Sequence, residues 1–98
     1  MYGTVAHMRV KAGQENALRE WMVKWDLERA PTINGPVSSY VYRMDTDSQD
    51  LILTVVFKDK ASYVANAEDP EQNRWYQALR QHLEADPEWH DGEVIYNS

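Results

Sequence analysis

The chain has 98 residues, a formal net charge of −6 and no cysteine. That length makes one domain with a modest core, and the absent thiols exclude a disulfide framework and a cysteine nucleophile. The basic residues are scattered through an acidic chain, which disfavours nucleic acid and anionic membrane surfaces as partners. No apolar run approaches bilayer-spanning length and the first residues lack a signal-peptide pattern, so a cytoplasmic location is expected.

Residues Tyr2 to Lys11 alternate loosely and read as a first strand, with Thr4, Ala6, Met8 and Val10 on one face and Val5, His7 and Arg9 on the other. Ala12-Gly13 breaks it. From Gln14 to Ala30 the apolar residues Ala17, Leu18, Trp21, Met22 and Trp25 recur as one helical stripe, and Pro31 stops the helix. After a loop containing Asn34-Gly35-Pro36, Val37 to Met44 forms a second strand, with Tyr40 and Tyr42 on one face. The polar run Asp45 to Asp50 joins it to a third as a hairpin.

Leu51 to Phe57 (LILTVVF) is rich in β-branched and aromatic residues and is apolar on both faces. Asp59 caps a short helix to about Ala67. Asp69, Pro70 and Gln72 then mark a second helix start, whose stripe of Trp75, Tyr76, Leu79 and Leu83 runs on until Pro87 closes it. Trp89 to Tyr96 is a fourth strand. The order β-α-β-β-α-β gives an α+β ferredoxin-like fold with a four-stranded antiparallel sheet in the order 4-1-3-2. Right-handed crossovers put both helices on one face. The other face of Leu51–Phe57 is then bare, and its cheapest cover is the same face of a second copy. A homodimer through sheet faces, forming one barrel-like core, is expected.

The segment Tyr63 to Leu83 holds Asn66, Asn73, Arg74, Trp75, Tyr76 and His82. It reads as a pocket wall, with rings to stack a flat ligand and amide and cation donors to hold a phenolate. The plain alternative is that Trp75, Tyr76, Leu79 and Leu83 are a buried stripe. His7 and His90 sit on strands expected to be neighbours. They read either as an acid–base or metal pair, or as hydrogen-bonded interface residues; no HExxH or comparable spacing marks a metal site. Trp21 and Trp25 read as core packing against the sheet. The pairs Asp45/Asp47 and Glu68/Asp69 read as turns and caps.

The strand VAHMRVKAG before an aromatic-striped helix, the run LILTVVFKDKASY and the closing DPEWHDGEVIY together resemble the antibiotic biosynthesis monooxygenase superfamily of dimeric α/β barrels. The resemblance covers nearly the whole chain and implies a single domain over 1–98 with a pocket between sheet and helices. It implies either a cofactor-independent monooxygenase of a small phenolic, quinol or polyketide-like aromatic, or a non-catalytic barrel that binds a small aromatic ligand or serves a stress role. On the first reading Trp75, Tyr76 and Tyr63 bind substrate, Asn66 hydrogen-bonds it, and Arg74 or His82 handles charge and protons. No metal or cofactor is implied. The haem-degrading branch carries an Asn, a Trp and a His at positions that fall here on Ala6 or His7, on Asn66 or Ala65, and on Trp75 or Arg74; the resemblance therefore speaks against haem degradation.

Overall fold

The structure, a computed structural model, describes residues 1–98. Strands β1 (Tyr2–Arg9), β2 (Pro36–Arg43), β3 (Asp50–Phe57) and β4 (Glu88–Glu93) form one antiparallel sheet in the order β2-β3-β1-β4. This is the expected ferredoxin-like arrangement, with β1 and β3 central. The register pairs Thr4 with Val55, Ala6 with Leu53 and Met8 with Leu51 on the helix side. Val5 with Thr54, and His7 with Ile52, lie on the opposite side.

The helical segments are α1 (Glu15–Lys24), α2 (Lys60–Glu68) and α3 (Pro70–Arg80). Both N-cap aspartates operate as expected. Asp59 accepts from the Ser62 amide at 2.7 Å and Asp69 from the Glu71 amide at 2.9 Å, each satisfying a donor that the first turn leaves free. No helix is long and apolar enough to cross a membrane.

Three boundaries differ from the sequence reading. The helix expected over Gln14–Ala30 is regular only to Lys24; a π-helical turn follows at Trp25–Arg29 and a 3₁₀ turn at Ala30–Thr32. The Ala30 amide reaches back to the Trp25 carbonyl just before Pro31, which has no amide of its own to give. Helix α3 ends at Arg80 rather than running on to Pro87. There the chain turns to β1, where Val10 bridges Leu83 and the Glu84 amide donates to the Arg9 carbonyl at 2.9 Å. Leu83 is thus core, but from an added strand-like step. Finally, β4 stops at Glu93 and not Tyr96, because its partner Tyr2 is where β1 begins. Ile95 and Tyr96 lie exposed beyond it.

The close-packed core gathers Met8, Val10, Leu18, Leu51, Leu79 and Leu83 at one end of the sheet. Toward the other end Trp21, Met22, Leu53 and Tyr76 are only partly buried, and the helices stand off the sheet. Arg9 fastens the β2–β3 hairpin through Asp47 at 2.9 Å and Asp50 at 3.0 Å, and Glu84 pairs with the same guanidinium. Asp47 is therefore more than the solvated turn residue the sequence suggested.

At Gly3, β1 leaves no room for a side chain beside β3. A Cβ there would stand 1.8 Å from the Val55 carbonyl oxygen, whereas one at Gly92 would meet nothing within 4 Å. Gly3→Ala should therefore cost about 1–3 kcal/mol or more by forcing the two central strands apart. Gly92→Ala should be close to neutral. Urea midpoints of the two variants check this, and equal midpoints would refute the close approach.

Candidate functional site

Between the sheet and the helices lies a cavity of about 900 Å³, within the size range of small-molecule sites. Its floor is the helix-side face of the sheet, where Met8, Leu53, Val55 and Phe57 point upward. Its walls carry rings from every layer: Trp21 and Trp25 from the first helical segment, Tyr63 from α2, Tyr76 from α3 and Trp89 from β4. Tyr63 packs edge-on against Phe57 at 5.6 Å and Tyr2 at 5.2 Å between ring centroids, and Tyr76 lies 6.4 Å from Trp89. Polar groups set among these rings are Thr4, Asp26, Asn66, Gln72, Asn73 and Asp91.

One wall is built on a buried cation. Arg29, in the π turn, is 4% exposed. Its Nε donates to Gln72 Oε1 at 3.2 Å, its Nη1 to Thr32 Oγ1 at 3.2 Å, and its Nη2 to both Asn66 Oδ1 at 2.9 Å and Asp69 Oδ2 at 3.1 Å. Trp25 Nε1 also donates to Gln72 Oε1, at 3.3 Å. Gln72 is therefore turned toward Arg29, and not back to the helix start as a capping box would place it. Asp69 is engaged by both the Glu71 amide and Arg29. The first turn of α3 is thus partnered by its own chain.

A second polar group sits beside β4. The Tyr63 hydroxyl donates to Asp91 Oδ1 at 2.8 Å. Burial, and then this bond to a carboxylate, push the phenol up to about 12. The buried Thr4 Oγ1 has no group in hydrogen-bonding geometry. Tyr76 is also raised, first by burial and then by the Asp86 carboxylate. At neutral pH both phenols keep their protons and act as donors.

Of the pocket-wall residues singled out from sequence, Tyr63, Asn66, Asn73 and Tyr76 line the cavity. Three others do not. Arg74 is exposed and pairs with Glu71 on the outer face of α3. Trp75 turns to α1, edge-on to Trp21 at 6.0 Å, and its carbonyl accepts from Trp21 Nε1 at 3.0 Å. The Asn66 carboxamide oxygen faces Arg29. His82 follows the end of α3, and its Nδ1 lies 3.0 Å from Gln14 Oε1. Arg29, Gln72, Trp25, Trp89 and Asp91 were missed. Signals for them were present: Arg29 falls four residues after Trp25 on the helical stripe, and Trp89 and Asp91 share one face of a period-two strand.

The opposite sheet face carries Val5, His7, Tyr40, Tyr42, Ile52, Thr54, Val56 and His90. Tyr40 and Tyr42 stack at 6.5 Å. His90 sits opposite Val5, one step along from His7, whose ring is 3.4 Å from Glu88 and 3.7 Å from Asp50. Neither histidine reaches the cavity.

No family model matches the sequence, and no curated protein matches it. Solved structures do match the fold. A Chloroflexus aurantiacus protein, provisionally described as an antibiotic biosynthesis monooxygenase, is 24% identical with a TM-score of 0.77, over 99% of this chain and 95% of that one. A Caulobacter crescentus protein of the same provisional description has a TM-score of 0.82 at 9% identity, over 97% and 90%. SnoaB of Streptomyces nogalater, a cofactor-independent oxygenase solved as an Asn-to-Ala variant, has a TM-score of 0.79 at 14% identity, over 98% and 94%. At these identities the likeness shows the fold: this chain has the α+β fold of the structures named as antibiotic biosynthesis monooxygenases.

The Asp69 carboxyl is held below its usual range, first by the Glu71 amide and then by Arg29. A depressed folded pKa gives stability that is whole above the unfolded value of about 3.9 and is lost as pH falls through the folded value. Asp69→Asn should lower the urea midpoint at neutral pH and flatten its fall as pH drops below about 4. An unchanged acid slope would remove Asp69 from the folded-state network.

Proposed function

We propose that this protein is a cofactor-independent monooxygenase that binds a small phenolic, quinol or polyketide-like aromatic in the cavity and oxidises it with dioxygen. The observation that carries the reading is a cavity of about 900 Å³ lined by six aromatic rings, with a few carboxamides and carboxylates among them. The fold shared with SnoaB, a cofactor-independent oxygenase, supports it.

In such chemistry the substrate supplies the electrons. Deprotonation leaves a delocalised anion, which passes an electron to dioxygen. The resulting pair combines in a new C–O bond, and loss of water leaves a carbonyl; for a methylene, CH₂ and O₂ become C=O and H₂O. The protein takes the proton, stabilises the anion and holds it against dioxygen away from bulk water. Asp91, oriented by the Tyr63 hydroxyl, takes the proton-handling role that the sequence reading gave to Arg74 or His82. Asn66 hydrogen-bonds the substrate, and Tyr76, Trp25 and Trp89 stack on it.

The test is oxygen uptake with a panel of anthrones and hydroquinones. Uptake should be saturable, and Asn66→Ala and Asp91→Asn should each lower kcat by about 10²-fold, the size expected of a removed donor or base. Ligand binding with no uptake from any member would favour the non-catalytic aromatic-binding barrel instead.

The functional unit in this reading is a homodimer. Tyr40 and Tyr42 are 63% and 51% exposed and Val5 is 47% exposed, beside Ile52 and Val56 on one continuous sheet face. The same face of a second copy would bury them. Val56→Glu, on that face, should shift the protein toward monomer or aggregate. Val55→Glu points into the cavity and should disturb ligand binding and the subunit core. Sedimentation at micromolar concentration decides; a compact wild-type monomer would sink the dimer.

A further inference from the structure

We propose that Arg29 is a positioning residue that compels two cavity carboxamides, those of Asn66 and Gln72, to present their NH₂ groups inward, so that the site selects an aromatic ligand bearing an oxyanion or carbonyl oxygen. The inference rests on the reading of the cavity as an aromatic-ligand site.

The constraint is chemical. A guanidinium has five N–H donors and no acceptor. Whichever atom of the Asn66 carboxamide stands 2.9 Å from Arg29 Nη2 must therefore be its oxygen. The same holds at Gln72 with more force, because its Oε1 accepts from Arg29 Nε and from Trp25 Nε1, a second donor-only group. Turning either amide over would set N–H against N–H beside a cation that is 4% exposed, which leaves buried donors unsatisfied. Arg29 itself has little freedom to give way, since Thr32 and Asp69 hold its remaining edge.

What the amides have left is Asn66 Nδ2 and Gln72 Nε2. Neither donates to any group of the protein, and both side chains line the cavity. Two free donors, fixed in sense and backed by a positive charge, suit an acceptor oxygen on a flat ligand. A purely structural cation would need only to be satisfied; it would not need two acceptor side chains that both line the cavity.

The test compares equilibrium dialysis of 1,4-naphthoquinone, which only accepts hydrogen bonds, with naphthalene, which makes none. Wild-type protein should bind the quinone about tenfold more tightly, the effect of one well-placed hydrogen bond. Arg29→Gln brings in a side chain that can both donate and accept, frees the amides to turn, and should bring the ratio close to one. Arg29→Lys keeps a donor-only cation and should retain most of the preference. Both variants lose the guanidinium fork, so a merely structural Arg29 would weaken both probes alike in both variants and leave the ratio unchanged. That result would overturn the proposal.

A ligand-free readout separates its failure from failure of the cavity reading. In ¹⁵N-labelled protein, the Asn66 and Gln72 side-chain NH₂ groups should each give one pair of proton signals in wild type and Arg29→Lys, and a second pair or broadened peaks in Arg29→Gln. If neither probe binds but the signals behave so, the aromatic-site reading falls and the positioning role stands. Unchanged signals in Arg29→Gln would overturn the positioning role whatever the probes do.

Discussion

The wall of the cavity depends on one buried guanidinium. Arg29 ties the turn after α1 to the end of α2 through Asn66 and Asp69, and to the first turn of α3 through Gln72. These three segments have little apolar surface with which to hold each other. Asn66, Asp69 and Gln72 are polar, and the buried residues of α1 and α3, Leu18 and Leu79, lie at the other end. A buried cation is expensive to desolvate and is kept only when it is well partnered. Here every guanidinium nitrogen is engaged by side chains from separate elements, which fixes the spacing of the helices above the sheet without filling the space between.

That division explains the two ends of the molecule. Where Met8, Val10, Leu51, Leu79 and Leu83 meet, apolar side chains close the gap between helix and sheet. Where Thr4, Val55 and Phe57 line the floor, the helices are held off by hydrogen bonds and by rings packed edge-on. Each edge-to-face pair covers one ring face and leaves the rest of the two rings to line the space. The π turn belongs to the same design: π-helical turns in α-helices occur frequently at functional sites, and this one carries both Trp25 and Arg29.

The sheet was legible because strand signals are local and period-two. Leu51–Phe57 could be read as two-sided from its own residues, and the caps at Asp59 and Asp69 fixed two helix starts within one residue. The site was only half legible. A helical stripe is wide enough to face two things, and α3 uses one flank, with Tyr76 and Leu79, for the cavity and another, with Trp75, for α1. Periodicity does not separate those flanks. His82 was drawn in by a helix assumed to continue, when the backbone groups of Leu83 and Glu84 are instead satisfied by β1. Arg29 was passed over because a cation near a helix end reads as a solvated dipole partner, although its place on the apolar stripe argued otherwise.

The central strand β3 is unfinished on both sides. Leu53 and Val55 are only partly buried because they floor the cavity, and Ile52, Thr54 and Val56 because their face is open. Each unburied apolar Å² forgoes about 25 cal/mol of stabilisation, so the isolated subunit is held below what its own sequence permits. A flat ligand on one side and a second copy on the other would complete the same strand. The two events are then linked through stability: a ligand at a hundred times its Kd adds about 2.7 kcal/mol to a fold that binds it only when folded. A strand this apolar is a poor choice for a self-contained subunit, and a good one for a protein whose core is completed by what it binds.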